Sequence, residues 1–397
     1  MGMEKLFFNI YKAIPEIISK GNFVYPDYSS SKVILIHGSS VGEIQSLENL
    51  IKKIREEFSD YKIVLTSSTA TSQEMAHKKY AELVDFITFL PFDFYSTMDK
   101  FLNKLNPKII LVAETELWPN FFYLAKQKNI PLYIINGRIS DKSYPNYLKI
   151  KSFIKMVLNC AHGILCQSEL DKQRYIDLGA SEQTTEVMKN LKFEIEKKVC
   201  DIDLKSKGFK TIVASSTHTN EEEAVINVYK RLKQKIKDLK LIIAPRHLTR
   251  LEDVKNIVKN SKFKYGLRTN NDDFTSCDII ILDTLGELSK VYDIVDVAFI
   301  GGSFNNKTGG HNPLEATIYS KPAISGTSIK NFRDIYSILT RENSAFIAKN
   351  EDELYGYFEK LLTDEEFYRT ISRNCENCFA SQQGGKEYVI KKLKEIL

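Results

Sequence analysis

Long hydrophobic runs are missing from this chain. No stretch of about 18 consecutive apolar residues occurs in its 397 residues, so no segment reads as a membrane span on its own. Cysteine is scarce and scattered: six in all, at 160, 166, 200, 277, 375 and 378, with only Cys375 and Cys378 closely spaced. One C-x-x-C without a second pair is a poor zinc or redox motif, and free thiols in a reducing cytosol are expected. A large excess of either charge is missing as well. Fifty-six Lys and Arg against 51 Asp and Glu leave +5, enough for an anionic substrate or membrane face but less than a nucleic-acid binder carries. No G-x-G-x-x-G follows the first strand, which argues against a dinucleotide. The N-terminus lacks the cleavage site and residue order of a secretory signal.

What is present describes an ordinary globular protein, 43% hydrophobic and 27% charged, and its length predicts two domains. Residues 1–28 form an amphipathic segment in which Leu6, Phe7, Ile10, Ile14, Ile17 and Ile18 recur at helical spacing among lysines. Such a helix lies in a lipid interface or packs on its own domain, and the pattern fits both. From Val33 the chain alternates buried-strand runs with helical patterns. Strands read at 33–36, 63–65, 109–113, 132–135 and 163–166, each ending in a polar cluster. Residues 193–209 are charged and poor in periodicity, which predicts a linker. The rhythm restarts at 211–214, 239–244, 279–282, 295–300 and 322–324, and a helical run fills 346–397. Strand–helix alternation implies parallel sheets covered on both faces, with ligands at the carboxyl ends of the strands.

One stretch stands out, FIGGSFNNKTGGHNPLE at 299–315. A buried strand runs into one glycine pair, a polar turn, a second glycine pair and a helix start. Asn312 suits the N-cap and Pro313 the first helical position. Backbone N–H groups at such a start attract phosphate or carboxylate, and Glu315 is placed to accept hydrogen bonds from sugar hydroxyls. The plainer reading is a solvated glycine-rich connection, which two glycine pairs flanking HNPLE make less probable. Two Rossmann-like halves joined by a linker describe the GT-B architecture: an acceptor domain at 29–192, a donor domain at 210–345, and parallel sheets facing an interdomain cleft.

Collinear short motifs then make the chain resemble the bacterial 3-deoxy-D-manno-octulosonic acid (Kdo) transferase family of lipopolysaccharide assembly. They are SSVGE at 39–43, AETELWPN at 113–120, NGRIS at 136–140, NLKF at 190–193, STH at 216–218, APRH at 244–247, GELSKVY at 286–292, FIGGSF at 299–304 and GGHNPLEA at 309–316. The chain departs from the family pattern at Lys189, Ser215 and Asn220, where glycines are expected, and at its N-terminus, where a hydrophobic anchor is usual.

The resemblance implies an inverting transfer of Kdo from CMP-Kdo to a 6′-hydroxyl of lipid IVA, at the cytoplasmic face of the bacterial inner membrane. Its partners would be CMP-Kdo, lipid IVA and the anionic inner-membrane surface, with no nucleic acid. Spacing alone favours reading Glu43 as a first-turn Glu stabilised by the helix dipole; the motif match reverses this and makes Glu43 the implied base. Glu114 and Glu116, two apart on one strand face, both reach the site, and mutual repulsion raises a pKa. The family pattern makes Glu114 the transition-state stabiliser and Glu116 structural. Lys192, otherwise one more surface lysine, becomes the cation opposite the Kdo carboxylate or departing phosphate. Pro245 and Arg246, then Gly286, Glu287 and Leu288, then Asn312, Pro313, Leu314 and Glu315 are implied to hold CMP. His218, His247 and His311 lie in loops without H-x-x-x-H spacing, so polar packing or substrate contact is expected in place of metal. No cofactor and no metal is expected, since one phosphate needs only an arginine and a helix start. A UDP- or GDP-sugar transferase of the same architecture, or a non-catalytic lipid-A scaffold, are the alternatives.

Overall fold

The computed structural model describes residues 25–304 and 308–397. The amphipathic stretch at 6–18 and residues 305–307 of the glycine-rich loop lie outside them. The chain divides into two compact units, Met1–Glu194 with Gln382–Leu397, and Ile195–Ser381.

The first unit holds β1 (Val33–His37), β2 (Lys62–Ser67), β3 (Phe86–Phe89), β4 (Ile109–Ala113), β5 (Leu132–Gly137), β6 (Gly163–Cys166) and β7 (Thr185–Val187). The second holds β8 (Lys210–Thr217), β9 (Leu239–Pro245), β10 (Tyr265–Leu267), β11 (Ile279–Ile281), β12 (Val297–Ile300), β13 (Ala323–Ser325) and β14 (Ala345–Ile347). Helices include α1 (Val41–Ser46), α2 (Glu48–Glu57), α3 (Pro119–Gln127), α4 (Tyr144–Lys149), α5 (Glu221–Lys235), α6 (Leu314–Thr317), α7 (Glu351–Thr363), α8 (Glu365–Gln382) and α9 (Gly385–Ile396).

Each unit is one seven-stranded sheet, ordered β3-β2-β1-β4-β5-β6-β7 and β10-β11-β9-β8-β12-β13-β14. Every strand pair is parallel. Central strands such as β1 and β4 are buried along their whole length, because helices cover both faces and leave no polar side to alternate. The four strands that do not read as long apolar runs, β3, β7, β10 and β14, are the sheet edges.

Register sets where the side chains emerge. His37 pairs with Thr66 on one side and Val112 on the other, and Ala113 pairs with Ile135. The loops after β1, β4 and β5 therefore leave one rim at one height. In the second sheet Ser215 pairs with Ala244 and with Ile300, so the loops after β8, β9 and β12 do the same.

Two differences from the sequence reading concern boundaries. The unit boundary falls within the expected linker at 193–209, and its residues from 195 on are held to the second unit: Ile202 and Leu204 are buried, Leu204 O accepts from Phe274 N at 3.0 Å, and Tyr319 OH bonds both Lys198 N and Lys198 O. Apolar residues among the charges, which the charge pattern hid, hold this segment to the second unit. The helical run after 346 is likewise not one piece. Helix α7 belongs to the second unit, where Leu354, Phe358 and Leu361 enter the core beside Val225 and Tyr229 of α5. Helix α9 returns to the first unit, where Val389, Ile390 and Leu393 join the core with Leu50, Ile51 and Ile54 of α2. Its start is held by the buried Glu194, whose Oε1 accepts from Gly384 N and Gly385 N at 2.8 Å and from Lys386 N at 3.4 Å.

Candidate active site

In the first unit the structure brings together all three residues expected to act chemically. Gly38-Ser39-Ser40 turns out of β1, and Ser40 Oγ accepts from Glu43 N to start α1. The Glu43 carboxylate folds back over this turn, taking Ser39 N at 2.6 Å on Oε2 and Ser40 Oγ at 2.9 Å on Oε1. Burial pushes its pKa up to about 7, the neighbouring Glu114 adds to the rise, the Ser39 amide opposes it, and Glu116 raises it further.

Glu114 follows β4 with a left-handed φ of 55°, a backbone state that few side chains adopt. It is held there by Glu114 N donating to Ile135 O at 3.0 Å and by the Tyr175 hydroxyl donating to Glu114 O at 3.2 Å. Lys192 Nζ lies 2.7 Å from Glu114 Oε1, and Arg138 Nη1 lies 4.0 Å from Oε2. The ammonium approaches Oε1 outside hydrogen-bonding angles, so this is an ion pair. Lys192 sits in a 3-10 turn, Leu191–Phe193, pinned by Asn190 Oδ1 on Lys192 N at 2.9 Å and Asn136 Oδ1 on Leu191 N at 3.0 Å. Glu116 takes Trp118 Nε1–H at 3.0 Å, and burial raises its pKa.

In the second unit three loops meet. Arg246 and His247 are exposed at the end of β9, and Arg246 N is held by Thr217 O at 3.0 Å. His218 Nε2 lies 2.9 Å from His311 Nε2, with ring centroids 5.1 Å apart and planes at 11°. At that separation the rings meet edge to edge, sharing one proton in an N–H···N bond. Burial and the charge of Arg246 hold the His311 pKa down to about 4, so the ring is neutral at pH 7. His247 packs its edge on His218 with centroids 5.6 Å apart. Asn312 Oδ1 accepts from Leu314 N at 3.0 Å, but α6 starts one residue later than the sequence implies, so Pro313 and not Asn312 takes the N-cap position, without a side-chain cap bond. Gly286, Glu287 and Leu288 open a short helix at the end of β11. Here the Glu287 side chain is engaged by Arg268 Nη2 at 3.2 Å and by Thr284 Oγ1. Among the described residues no group of three or more His, Cys, Asp or Glu is placed to hold a metal ion.

The sequence model of the family described as 3-Deoxy-D-manno-octulosonic-acid transferase (kdotransferase) matches residues 18–195. A 3-deoxy-D-manno-octulosonic acid transferase of Haemophilus influenzae is 30% identical over 92% of this chain and 87% of its own length. The chain belongs to the Kdo transferase family. It is accordingly a glycosyltransferase. A bifunctional glycosyltransferase/methyltransferase of Fusobacterium nucleatum is 38% identical over 88% of this chain, which spans 56% of that longer protein. Among solved structures, a UDP-GlcNAc 2-epimerase from Neisseria meningitidis is 13% identical, with 92% of this chain and 100% of that one aligned at a TM-score of 0.62. A glycosyltransferase from Rickettsia africae is 15% identical over 92% and 98%, at a TM-score of 0.56. These two share the fold, two Rossmann-like α/β units of the GT-B type.

The departures from the Kdo transferase pattern prove conservative in backbone terms. Lys189 and Asn220 take φ of 83° and 75°, the region a glycine would favour. Ser215 stays within β8, where its hydroxyl donates to Phe299 O at 2.9 Å and no left-handed turn is needed.

The sequence reading missed several residues. Glu221, fully buried at the start of α5, accepts from four amides: His218 N at 2.9 Å, Gly302 N at 2.7 Å, Ser303 N at 2.8 Å and Phe304 N at 2.9 Å. It therefore shapes the glycine-rich turn, and a Cβ on Gly301 would meet its Oε2 at 2.8 Å. Its signal was three glutamates in one first turn, which look alike in sequence. Asp93 holds α3 in the same way, accepting from Asn120 N at 2.9 Å and Phe121 N at 2.8 Å.

Proposed function

We propose that this Kdo transferase moves Kdo from CMP-Kdo to the 6′-hydroxyl of lipid IVA with inversion at the anomeric carbon. The observation that carries the reading is Glu43, a carboxylate with its pKa at about 7 lodged beside the Glu114–Lys192 ion pair. A general base works best with a pKa near ambient pH, strong enough to draw a proton from a hydroxyl yet ionised enough to accept it.

Glu43 takes the proton of the acceptor hydroxyl as its oxygen attacks C2 of Kdo and the bond to the CMP phosphate breaks. Glu114 offsets the positive charge that grows on the oxocarbenium-like carbon, and Lys192 counters the Kdo carboxylate or the departing phosphate. In the second unit Arg246 and the N–H groups of Asn312 and Glu315 take the single phosphate of CMP and the Glu315 carboxylate takes its ribose, while Pro313 and Leu314, whose N–H is held by Asn312 Oδ1, shape the turn. The Gly286–Leu288 backbone reads the cytosine edge, with Pro245 shaping the approach. One guanidinium with backbone amides neutralises one phosphate, so no divalent ion is required. An acylated acceptor calls for a peripheral enzyme on the anionic cytoplasmic face of the inner membrane. No described helix is long and apolar enough to cross a membrane.

The test is mass spectrometry of lipid IVA after incubation with the protein and CMP-Kdo, with and without EDTA. Addition of Kdo that survives EDTA and disappears in Glu43→Gln supports the reading. Turnover of UDP- or GDP-sugars with none of CMP-Kdo overturns it, and so does a protein inert towards every donor.

A further inference from the structure

His37 closes β1 and is fully buried. Its Nδ1 lies 3.0 Å from Thr66 Oγ1, and that hydroxyl lies 3.3 Å from the Ile36 carbonyl oxygen. A hydroxyl has one hydrogen to give. With that hydrogen assigned to the carbonyl, Thr66 Oγ1 is an acceptor and the imidazole hydrogen is assigned to Nδ1. Burial holds the ring pKa at about 4, which keeps it neutral. Nε2 is then a bare lone pair, buried and without a hydrogen-bond partner among the described residues. It faces Glu116 Oε2 across 4.0 Å. A buried lone pair facing a part-buried carboxylate is costly unless the carboxyl carries a proton.

The surroundings supply that proton. Glu43 from α1 and Glu114 and Glu116 from the end of β4 form one group of carboxylates, each close enough to perturb another. The cations, Lys192 at 2.7 Å and Arg138 at 4.0 Å, both lie against Glu114. Glu43 is held instead by Ser39 N and Ser40 Oγ and Glu116 by Trp118 Nε1, and carboxyls crowded in this way gain by keeping one proton. Around Glu116 the remaining neighbours are Trp118 Nε1 on Oε2, the Ser39 hydroxyl, and Tyr147 of α4, whose phenol feels the Glu116 charge.

We propose that His37 assigns the shared proton to Glu116, holding it as a neutral acid that donates towards Nε2, and thereby leaves Glu43 as the group that ionises. His37 is a positioning residue: it touches no reacting atom and acts through Glu116. The assignment rests on the base role given to Glu43, and it explains how one of several crowded carboxyls is selected for that role.

The two amide substitutions separate the ring nitrogens. An asparagine side chain reaches only the Nδ1 position and keeps the Thr66 contact, whereas a glutamine reaches the Nε2 position. Carboxyl carbons are followed by carbon-13 NMR titration of the full chain labelled at its glutamate side chains. In the wild type one glutamate carboxyl is expected to stay protonated at pH 7, and its signal to vanish in Glu116→Gln. In His37→Asn the Glu116 midpoint should fall and the Glu43 midpoint rise, each by about one pH unit. His37→Gln should recover part of that shift. In the double variant His37→Asn/Glu116→Gln, Glu43 should titrate as in Glu116→Gln alone. A Glu116 that titrates in the ordinary carboxylate range in the wild type overturns the proposal, and that measurement needs no His37 variant to fold. Unmoved midpoints in His37→Asn overturn it equally. The titrations use neither donor nor acceptor, so failed sugar transfer and failed proton assignment are separate results.

Discussion

Glu43 is pulled two ways, and the balance decides its chemistry. Desolvation and two like charges raise its pKa, while the Ser39 amide and the Ser40 hydroxyl oppose them, with the result at about 7. As pH falls through 7 the base becomes protonated, so kcat/KM should drop about tenfold per unit on the acid side. Removing the carboxylate in Glu43→Gln should cost about 10²–10⁴-fold in kcat and abolish that limb; a variant that keeps the limb would show that another group titrates. Asp93 bears on stability in a comparable way. Burial lifts its pKa from the usual carboxylate range to about 7 although two amides donate to it. Between those values the folded protein keeps a proton that the unfolded chain has released, so its contribution to stability declines as pH rises through that window. Asp93→Asn should flatten this slope in urea unfolding measured from pH 4.5 to 8, and an unchanged slope would place the cause elsewhere.

At the scale of elements, what a sequence shows depends on how uniformly an element is buried. β1, β4, β8 and β12 read plainly because helices on both faces demand apolar residues throughout. The edge strand β3, Phe86–Phe89, buries only its two middle residues, and β14 only its first, too little for a pattern to register. The turns were legible in part. HNPLE announced a helix start, and α6 begins there one residue late, with Pro313 at the N-cap. Glu221 and Asp93 were not, since their work is to accept amides from segments distant in sequence, and no local spacing records that. Glu221 makes the clearest test at this scale. In Glu221→Gln an NH₂ group would face two of the four amide donors, and stranding buried N–H groups costs about 1–3 kcal/mol each. The second unit should lose about 2–5 kcal/mol by urea unfolding, with weaker CMP binding by calorimetry. Intact CMP affinity would mean that the Gly301–Phe304 turn holds its shape by itself.

For the molecule as a whole, the chain's last helix completes its first unit. Val389, Ile390 and Leu393 fill the core under α2, and Glu194 fixes the helix start through Gly384 N and Gly385 N. Glu194→Ala should destabilise the first unit by about 2–4 kcal/mol, the range for losing charge-assisted bonds at a helix start. The unfolding of the second unit, followed by CMP protection, should stay unchanged. Equal loss in both units would show that they unfold as one body. The amphipathic tail after 351 is expected from its sequence to pack back across the domains, but nothing in 385–396 says which of two cores its apolar face will meet.

One outcome of that returning helix concerns birth on the ribosome. A nascent chain emerges from its beginning, yet the apolar bed for Val389, Ile390 and Leu393 must wait, uncovered, until the whole second unit has been translated. The later half can therefore mature before the earlier half is sealed.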